Sequence, residues 1–143
     1  MGQKVKVLLV ARYYIIEPLG LLHLIGLAKS IGCEADVELI PDNNFTGLYR
    51  RVKEWKPDFV GFSIWTGWHL QTFDACDQVR TMGPQVIIGG PHVTYFTDGC
   101  AKHADYVVRG DGFRNFRRIL QGEIGPGIHF GSDFEERVPM PNR

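Results

Sequence analysis

Val86-Ile87-Ile88-Gly89-Gly90-Pro91-His92 joins a short apolar run to a glycine pair and a proline. The run, bounded by glycines, reads as a strand of a parallel sheet buried on both faces, and the glycine pair marks where it delivers into a loop. Two adjacent glycines leave no side chain above the strand end, so a ligand can lie against bare backbone there. Pro91 stiffens the exit. A tight strand-to-helix turn without a ligand has the same signature, so the other strand ends must decide.

Working outward, the same alternation of apolar run and punctuation recurs along the chain. Residues 4–10 end in the fully apolar Val7-Leu8-Leu9-Val10, a central strand covered on both sides. Pro18 fits the first turn of a helix that carries Leu19, Leu22, Ile25 and Leu27 and stops at Gly32. Residues 34–40 form a second strand, and Thr46 is placed to cap a helix over 47–55. Lys56-Pro57-Asp58 breaks that helix before a third strand over 59–64, and a helix over 69–81 follows, ended by Gly83-Pro84. Beyond His92, residues 93–104 are helix-like but interrupted at Gly99. A short fifth strand over 105–109 and a last helix over 113–121 complete the pattern. From Gly122 onward a glycine and proline tail shows no periodicity. The domain is therefore expected over 1–121, with 122–143 a linker toward a further domain.

Strands alternating with helices predict an α/β fold, a flavodoxin-like (Rossmann-like) doubly wound parallel sheet of five strands in the order 2-1-3-4-5. In that order the ends of strands one, three, four and five share one edge. It carries Arg12 to Ile16, Ser63 to Trp68, Gly89 to Val93 and Arg109 to Phe113. Ligands of open α/β sheets bind at such edges.

The chain has 143 residues, with 16 Lys plus Arg against 16 Asp plus Glu, so net charge makes no case for nucleic acid or an anionic membrane surface. No apolar run approaches a bilayer span, and the N-terminus leads straight into a strand rather than a signal peptide. Gly2 invites a myristoylation reading, but Lys6 stands where that motif needs serine or threonine. Cys33, Cys76 and Cys100 are odd in number and widely spaced, which predicts reduced, mostly buried thiols in a cytoplasmic protein.

Several ligand chemistries lack their residues. FMN needs a glycine and hydroxyl-rich phosphate loop after the first strand, where Ala11-Arg12-Tyr13-Tyr14 stands. A receiver domain needs acidic residues there, and a dinucleotide site needs G-x-G-x-x-G. Ser63 lacks the glycines of a nucleophile elbow. Histidines 23, 69, 92, 103 and 129 show no metal spacing. His23 reads as a core or groove residue of the first helix, and His69 and His103 as solvated residues at helix ends. His92, directly after Gly-Gly-Pro, falls on the ligand edge.

Four stretches in register carry a resemblance: Pro18-Leu19-Gly20-Leu21-Leu22, residues 56–63 (Lys-Pro-Asp-Phe-Val-Gly-Phe-Ser), residues 88–94 (Ile-Gly-Gly-Pro-His-Val-Thr) and residues 104–112 (Ala-Asp-Tyr-Val-Val-Arg-Gly-Asp-Gly). Over residues 4–122 the chain resembles the N-terminal cobalamin-binding domain of cobalamin-dependent radical SAM enzymes. The resemblance implies a cobalamin over the C-terminal ends of the strands, its nucleotide tail inserted at the sheet edge. Ser63, Gly89 and Gly90 match the serine and paired glycines that border the tail. Trp65, Thr66, Pro91, His92, Gly110, Asp111 and Gly112 complete the edge. The D-x-H-x-x-G loop that supplies a histidine ligand to cobalt in the methionine-synthase type is replaced by residues 11–16. Cobalamin is therefore expected without a histidine lower ligand, with Arg12, Tyr13 or Tyr14 beneath the corrin.

The chain departs from the family at Gly110-Asp111-Gly112-Phe113, where a Gly-Glu-Gly-Glu pattern is usual. The C-x-x-x-C-x-x-C that would hold a 4Fe-4S cluster beside S-adenosylmethionine does not occur in the sequence, so those cofactors are expected in a catalytic radical SAM domain in cis or in trans. The expected function is the cofactor module of such an enzyme, for methyl transfer or rearrangement. A standalone cobalamin carrier or sensor, and a flavodoxin-like interaction domain without cofactor, remain the alternatives.

Overall fold

A computed structural model describes residues 4–12, 18–41, 44–63, 69–89, 97–109 and 113–130. Strand β1 (Lys6–Arg12) is followed by α1 (Pro18–Ser30), β2 (Glu34–Ile40), α2 (Thr46–Trp55) and β3 (Phe59–Ser63). Then come α3 (His69–Thr81), β4 (Gln85–Gly89), α4 (Thr97–Ala101), β5 (Tyr106–Arg109), α5 (Phe113–Leu120) and β6 (Gly127–Phe130). All pairings are parallel and the sheet order is β2-β1-β3-β4-β5-β6.

The order of the five expected strands is the observed one, and a sixth extends the sheet. The sixth was illegible because Gly127-Ile128-His129-Phe130 is a single short run among glycines and prolines. Its place comes from pairing: β5 offers it a register from Tyr106↔Gly127 to Arg109↔Phe130. Strand β1 also runs two residues further than expected, through Ala11 and Arg12, which pair with Leu39 and Ile40. No helix among the described residues is long and apolar enough to cross a membrane.

The pleat divides the core in two. Leu8, Val10, Val60, Phe62, Val86, Ile88 and Val107 face one side, where α2, α3 and α4 cover them with Leu48, Val52, Phe73, Cys76, Val79 and Cys100. Val7, Leu9, Ile87, Tyr106 and Val108 face the other, beneath α1 and α5. Both faces of the central strands are thus apolar, which is why they read as continuous hydrophobic runs.

Local chemistry sets the element ends. Gly32 (φ 93°) closes α1 with Cys33 N–H donating to Ala28 O and Gly32 N–H to Lys29 O, and Gly122 (φ 74°) closes α5 in the same way. Thr46 is the first residue of α2 rather than its cap: the cap position is Phe45, which makes no side-chain cap bond, and Asn44 Oδ1 accepts the Thr46 N–H at 3.0 Å in the turn that leads in. Lys56 ends α2 in the left-handed region (φ 55°), donating its N–H to Val52 O. Gly99 lies inside α4 rather than breaking it.

Two aspartates start strands by one device. Asp58, just before β3, exchanges backbone and carboxylate bonds with β1: its N–H donates to Lys6 O at 2.8 Å and its Oδ2 accepts Lys6 N–H at 2.9 Å. Its carbonyl then accepts Gln85 N–H of β4. Asp105, just before β5, repeats this with Val86 (N–H to Val86 O 2.9 Å, Val86 N–H to Oδ2 2.8 Å), and its carbonyl accepts Gly127 N–H of β6. Each aspartate, through its carboxylate and its own backbone groups, therefore ties three strands together at the N-terminal end of the sheet, opposite the candidate ligand edge. On edge strand β2, Arg51 of α2 pairs with both Asp36 and Glu38. Burial opposes ionisation of Asp36, but the Val37 N–H and the Arg51 guanidinium outweigh it and hold the carboxyl below its usual value.

Candidate functional site

The C-terminal edge of the sheet brings Arg12, Ser63, Gly89 and Arg109 to the ends of β1, β3, β4 and β5. Ser63 and Gly89 are direct register partners, so the serine and the first glycine of the pair stand side by side. Of the remaining expected site residues, Tyr13, Tyr14, Trp65, Thr66, Gly90, Pro91, His92, Gly110, Asp111 and Gly112 lie outside the described residues. Arg12 closes a strand rather than opening a loop.

Strand alternation decides what that edge presents. Val7 and Leu9 face α1 and α5, so Ala11 continues their row. Ile87 faces the same way, so Gly89 does too. Gly61 belongs to this row, since a Cβ there would lie 2.7 Å from Leu9 Cδ2, and Ser63 follows it by two. The last row of the sheet on the α1 and α5 face is therefore Leu39, Ala11, Ser63, Gly89, in which Leu39 is register partner to Ala11. Below it stand Val37, Leu9, Gly61 and Ile87. The row of large side chains thus gives way, at the central strands, to a methyl, a hydroxymethyl and a hydrogen.

The two glycines on this face differ physically. Gly61 is glycine because Leu9 occupies the space its side chain would take. Among the described residues a Cβ at Gly89 would meet only Val108 O at 3.7 Å, an ordinary contact, so none of them demands glycine there. What glycine supplies at Gly89 is room. Ala11, Ser63 and Gly89 are all half-buried, which leaves the recess open to solvent at the edge. The Ser63 hydroxyl beside Gly89 can act as donor and acceptor. Sequence reasoning missed Ala11, although counting by twos from Leu9 finds it.

The histidines are placed differently from their sequence reading. His23 is exposed on α1 rather than in the core, since the apolar side of that helix passes through Ala28 instead. His69 and His103 are half-buried and pack on Phe73, the first edge-on at 5.9 Å and the second stacked at 4.3 Å. His129 stacks on Tyr106 with its Nε2 2.8 Å from Gly125 O. Among the described residues no three of His, Cys, Asp and Glu gather as a metal site. All three thiols are free and buried, and desolvation raises each, Cys100 to about 11.

A doubly wound parallel sheet whose C-terminal edge carries a recess of small residues defines an open α/β ligand-binding domain. The model of the B12 binding domain family matches residues 5–120, and the chain belongs to that family. In fold it is similar to a cobalamin-binding protein from Desulfitobacterium hafniense, at 22% identity and TM-score 0.68, with 85% of this chain covered. The chain spans 59% of that protein's length. It is also similar to the N-terminal domain of a hypothetical protein from Thermotoga maritima, at 28% identity and TM-score 0.54, covering 79% of this chain and 88% of that one. No curated protein matches it in sequence.

Proposed function

We propose that this chain binds cobalamin at the C-terminal edge of its sheet, the nucleotide tail entering the recess at Ala11, Ser63 and Gly89, as the cofactor module of a cobalamin-dependent radical SAM enzyme. The observation that carries the reading is the side-by-side placement of Ser63 and Gly89, in a row that a Cβ at Gly89 would fill without straining the fold. A planar tail base lies against the bare backbone of Gly89, and the Ser63 hydroxyl hydrogen-bonds it. The apolar rows beneath, with Leu9 and Ile87, exclude water from its inner edge.

Cobalamin supplies a reactive cobalt–carbon bond when bound. The chain's own part is to hold and orient it. Residues 11–16, which span the end of β1 and the segment after it, contain no histidine, so the cobalt is held without a protein imidazole, and Arg12, Tyr13 and Tyr14 line that side. Trp65, Thr66, Gly90, Pro91, His92 and Gly110-Asp111-Gly112 complete the binding edge. The 4Fe-4S cluster, S-adenosylmethionine and the substrate belong to a catalytic domain in cis or in trans.

Titration with hydroxocobalamin, followed by its visible spectrum, tests the reading. Wild type saturates with one cobalamin per chain, and Gly89→Val weakens binding at least tenfold while unfolding near the wild-type urea midpoint. Absence of saturable binding refutes it. A lower nitrogen ligand in the EPR spectrum of bound cob(II)alamin, whose splitting changes when the protein's histidines carry the heavy nitrogen isotope, refutes the histidine-free part alone.

A further inference from the structure

Among the described residues three large apolar side chains are exposed, Leu39 at 49%, Leu70 at 66% and Ile128 at 40%. A lone exposed leucine needs no explanation by itself, so position must separate the three. Leu70 stands in the first turn of α3. Ile128 lies on the far edge strand β6 and pairs with Val107, which faces α2, α3 and α4. Leu39 belongs to the last row of the sheet, in register with Ala11 and in line with Ser63 and Gly89.

The two flanks of that row differ. Beyond Gly89, on the β5 side, the same face carries Val108, which is buried and whose carbonyl oxygen is the described atom nearest a Cβ at Gly89. Beyond Ala11, on the β2 side, the row ends in Leu39. Lower in β2, Ala35 packs against the core cluster beneath α1, so this face of the strand is covered at its start and uncovered at its end. Pro41, which follows β2, is exposed as well. The other face of β2 is anchored, with Ile40 buried in the core and Arg51 pairing with Asp36 and Glu38. The attachment of β2 therefore does not depend on Leu39.

Neighbouring strands lie about 4.8 Å apart, which puts Leu39 about 10 Å from Ser63 and about 15 Å from Gly89 along the row. A two-ring base seated at Ser63 and Gly89 does not reach it. A corrin macrocycle, which is wider and carries methyl groups on its rim, does.

We infer that cobalamin bound at this edge extends from the tail recess across β1 toward β2, and that Leu39 is a binding residue that packs on the rim of the corrin. The inference rests on the cobalamin reading for its ligand and adds a direction to it. Covering Leu39 with the ring removes apolar surface from water, so the contact contributes affinity without a hydrogen bond. Because it is made to the corrin and not to the tail, it has a signature of its own.

Wild type, Leu39→Thr, Leu39→Met and Gly89→Val are titrated with hydroxocobalamin and with aquohydroxocobinamide, the same corrin without the nucleotide tail, after urea titration finds each folded. Leu39→Thr is expected to raise the Kd for both corrinoids by the same factor, about fivefold or about 1 kcal/mol. Leu39→Met, which keeps an apolar side chain of similar volume, retains wild-type affinity for both. Gly89→Val weakens cobalamin and leaves cobinamide unchanged, because only the tail enters that recess. Wild-type affinity in Leu39→Thr overturns the inference, and so does a loss confined to cobalamin, which would put Leu39 against the tail. Wild type that saturates with cobalamin but not with cobinamide overturns it too, since the corrin then draws nothing from the edge. Absence of saturable binding of either corrinoid by wild type defeats the cobalamin reading itself, and this inference with it. Should Leu39→Thr not fold, Leu39→Gln, unbranched and polar, gives the same comparison.

Discussion

Replacing Asp105 by alanine removes an acceptor from a backbone group that has no access to water. Val86 is fully buried, and its N–H donates to Asp105 Oδ2 at 2.8 Å. The backbone bonds Asp105 N–H to Val86 O and Gly127 N–H to Asp105 O survive the substitution, so the strands stay adjacent and one N–H is left unmet. An unsatisfied buried donor costs about 1–3 kcal/mol. The ion pair with Arg80, 3.3 Å apart with Arg80 38% exposed, adds at most about 0.5–1 kcal/mol. Asp105→Ala should therefore cost about 2–3 kcal/mol and lower the urea midpoint by ~1–1.5 M. Asp105→Asn keeps an acceptor oxygen and should cost about 1 kcal/mol. Asp58 supplies an internal control, because it makes the same reciprocal bonds to Lys6 in an exposed setting, where water replaces the lost acceptor. Asp58→Ala should cost about 1 kcal/mol or less. Equilibrium urea unfolding of the four proteins measures this. Equal costs for the two alanine variants, or an Asp105→Ala midpoint within about 0.3 M of wild type, would refute the argument that burial of the N–H sets the magnitude.

Other expectations concern glycines, the α2 terminus and the thiols. Gly61→Ala forces a methyl to within 2.7 Å of Leu9 Cδ2 and should destabilise by about 1–3 kcal/mol, whereas Gly89→Ala, with 3.7 Å to its nearest described neighbour, should unfold like wild type. Leu9→Val should recover part of the Gly61→Ala loss, and strict additivity in the double-mutant cycle would reject the proposed clash. Lys56→Gly relieves a left-handed lysine and should stabilise by about 0.5 kcal/mol after glycine's added chain entropy, seen as a higher urea midpoint. Desolvation raises Cys100 from 9.0 to about 11, so the folded state keeps its proton while the unfolded chain releases it. Its contribution is fully present below about pH 9 and lost as pH rises toward 11. In Cys100→Ala the fall in stability between about pH 8 and about pH 10.5 should be shallower than in wild type. Iodoacetamide at about pH 8 should modify Cys76 and Cys100 only after unfolding.

How much of this was legible depends on the range of the determining interactions. The central strands β1, β3, β4 and β5 were legible because a central parallel strand is apolar on both faces, a pattern that survives in any context. The helix stop at Gly32 was legible because only glycine takes φ 93° without strain. The cap of α2 was misplaced by one residue, since Thr46 has the chemistry of a cap and only the path of the chain puts Phe45 in that position. His103 looked like a solvated helix end because nothing local links it to Phe73, thirty positions earlier in the chain and brought beneath it by parallel strand pairing.

The sequence by itself determined the α/β class, the strand order of five strands and the edge on which Ser63 and Gly89 fall, because hydrophobic periodicity, glycine conformation and right-handed crossovers are local or general rules. Tertiary structure decided the rest. It recruited Gly127–Phe130 as a sixth strand, paired Ser63 with Gly89, and separated Gly61, whose side-chain space Leu9 fills, from Gly89, whose space none of the described residues fills. These depend on which distant residue stands opposite, and register across a sheet is settled only when both faces of every strand are packed at once.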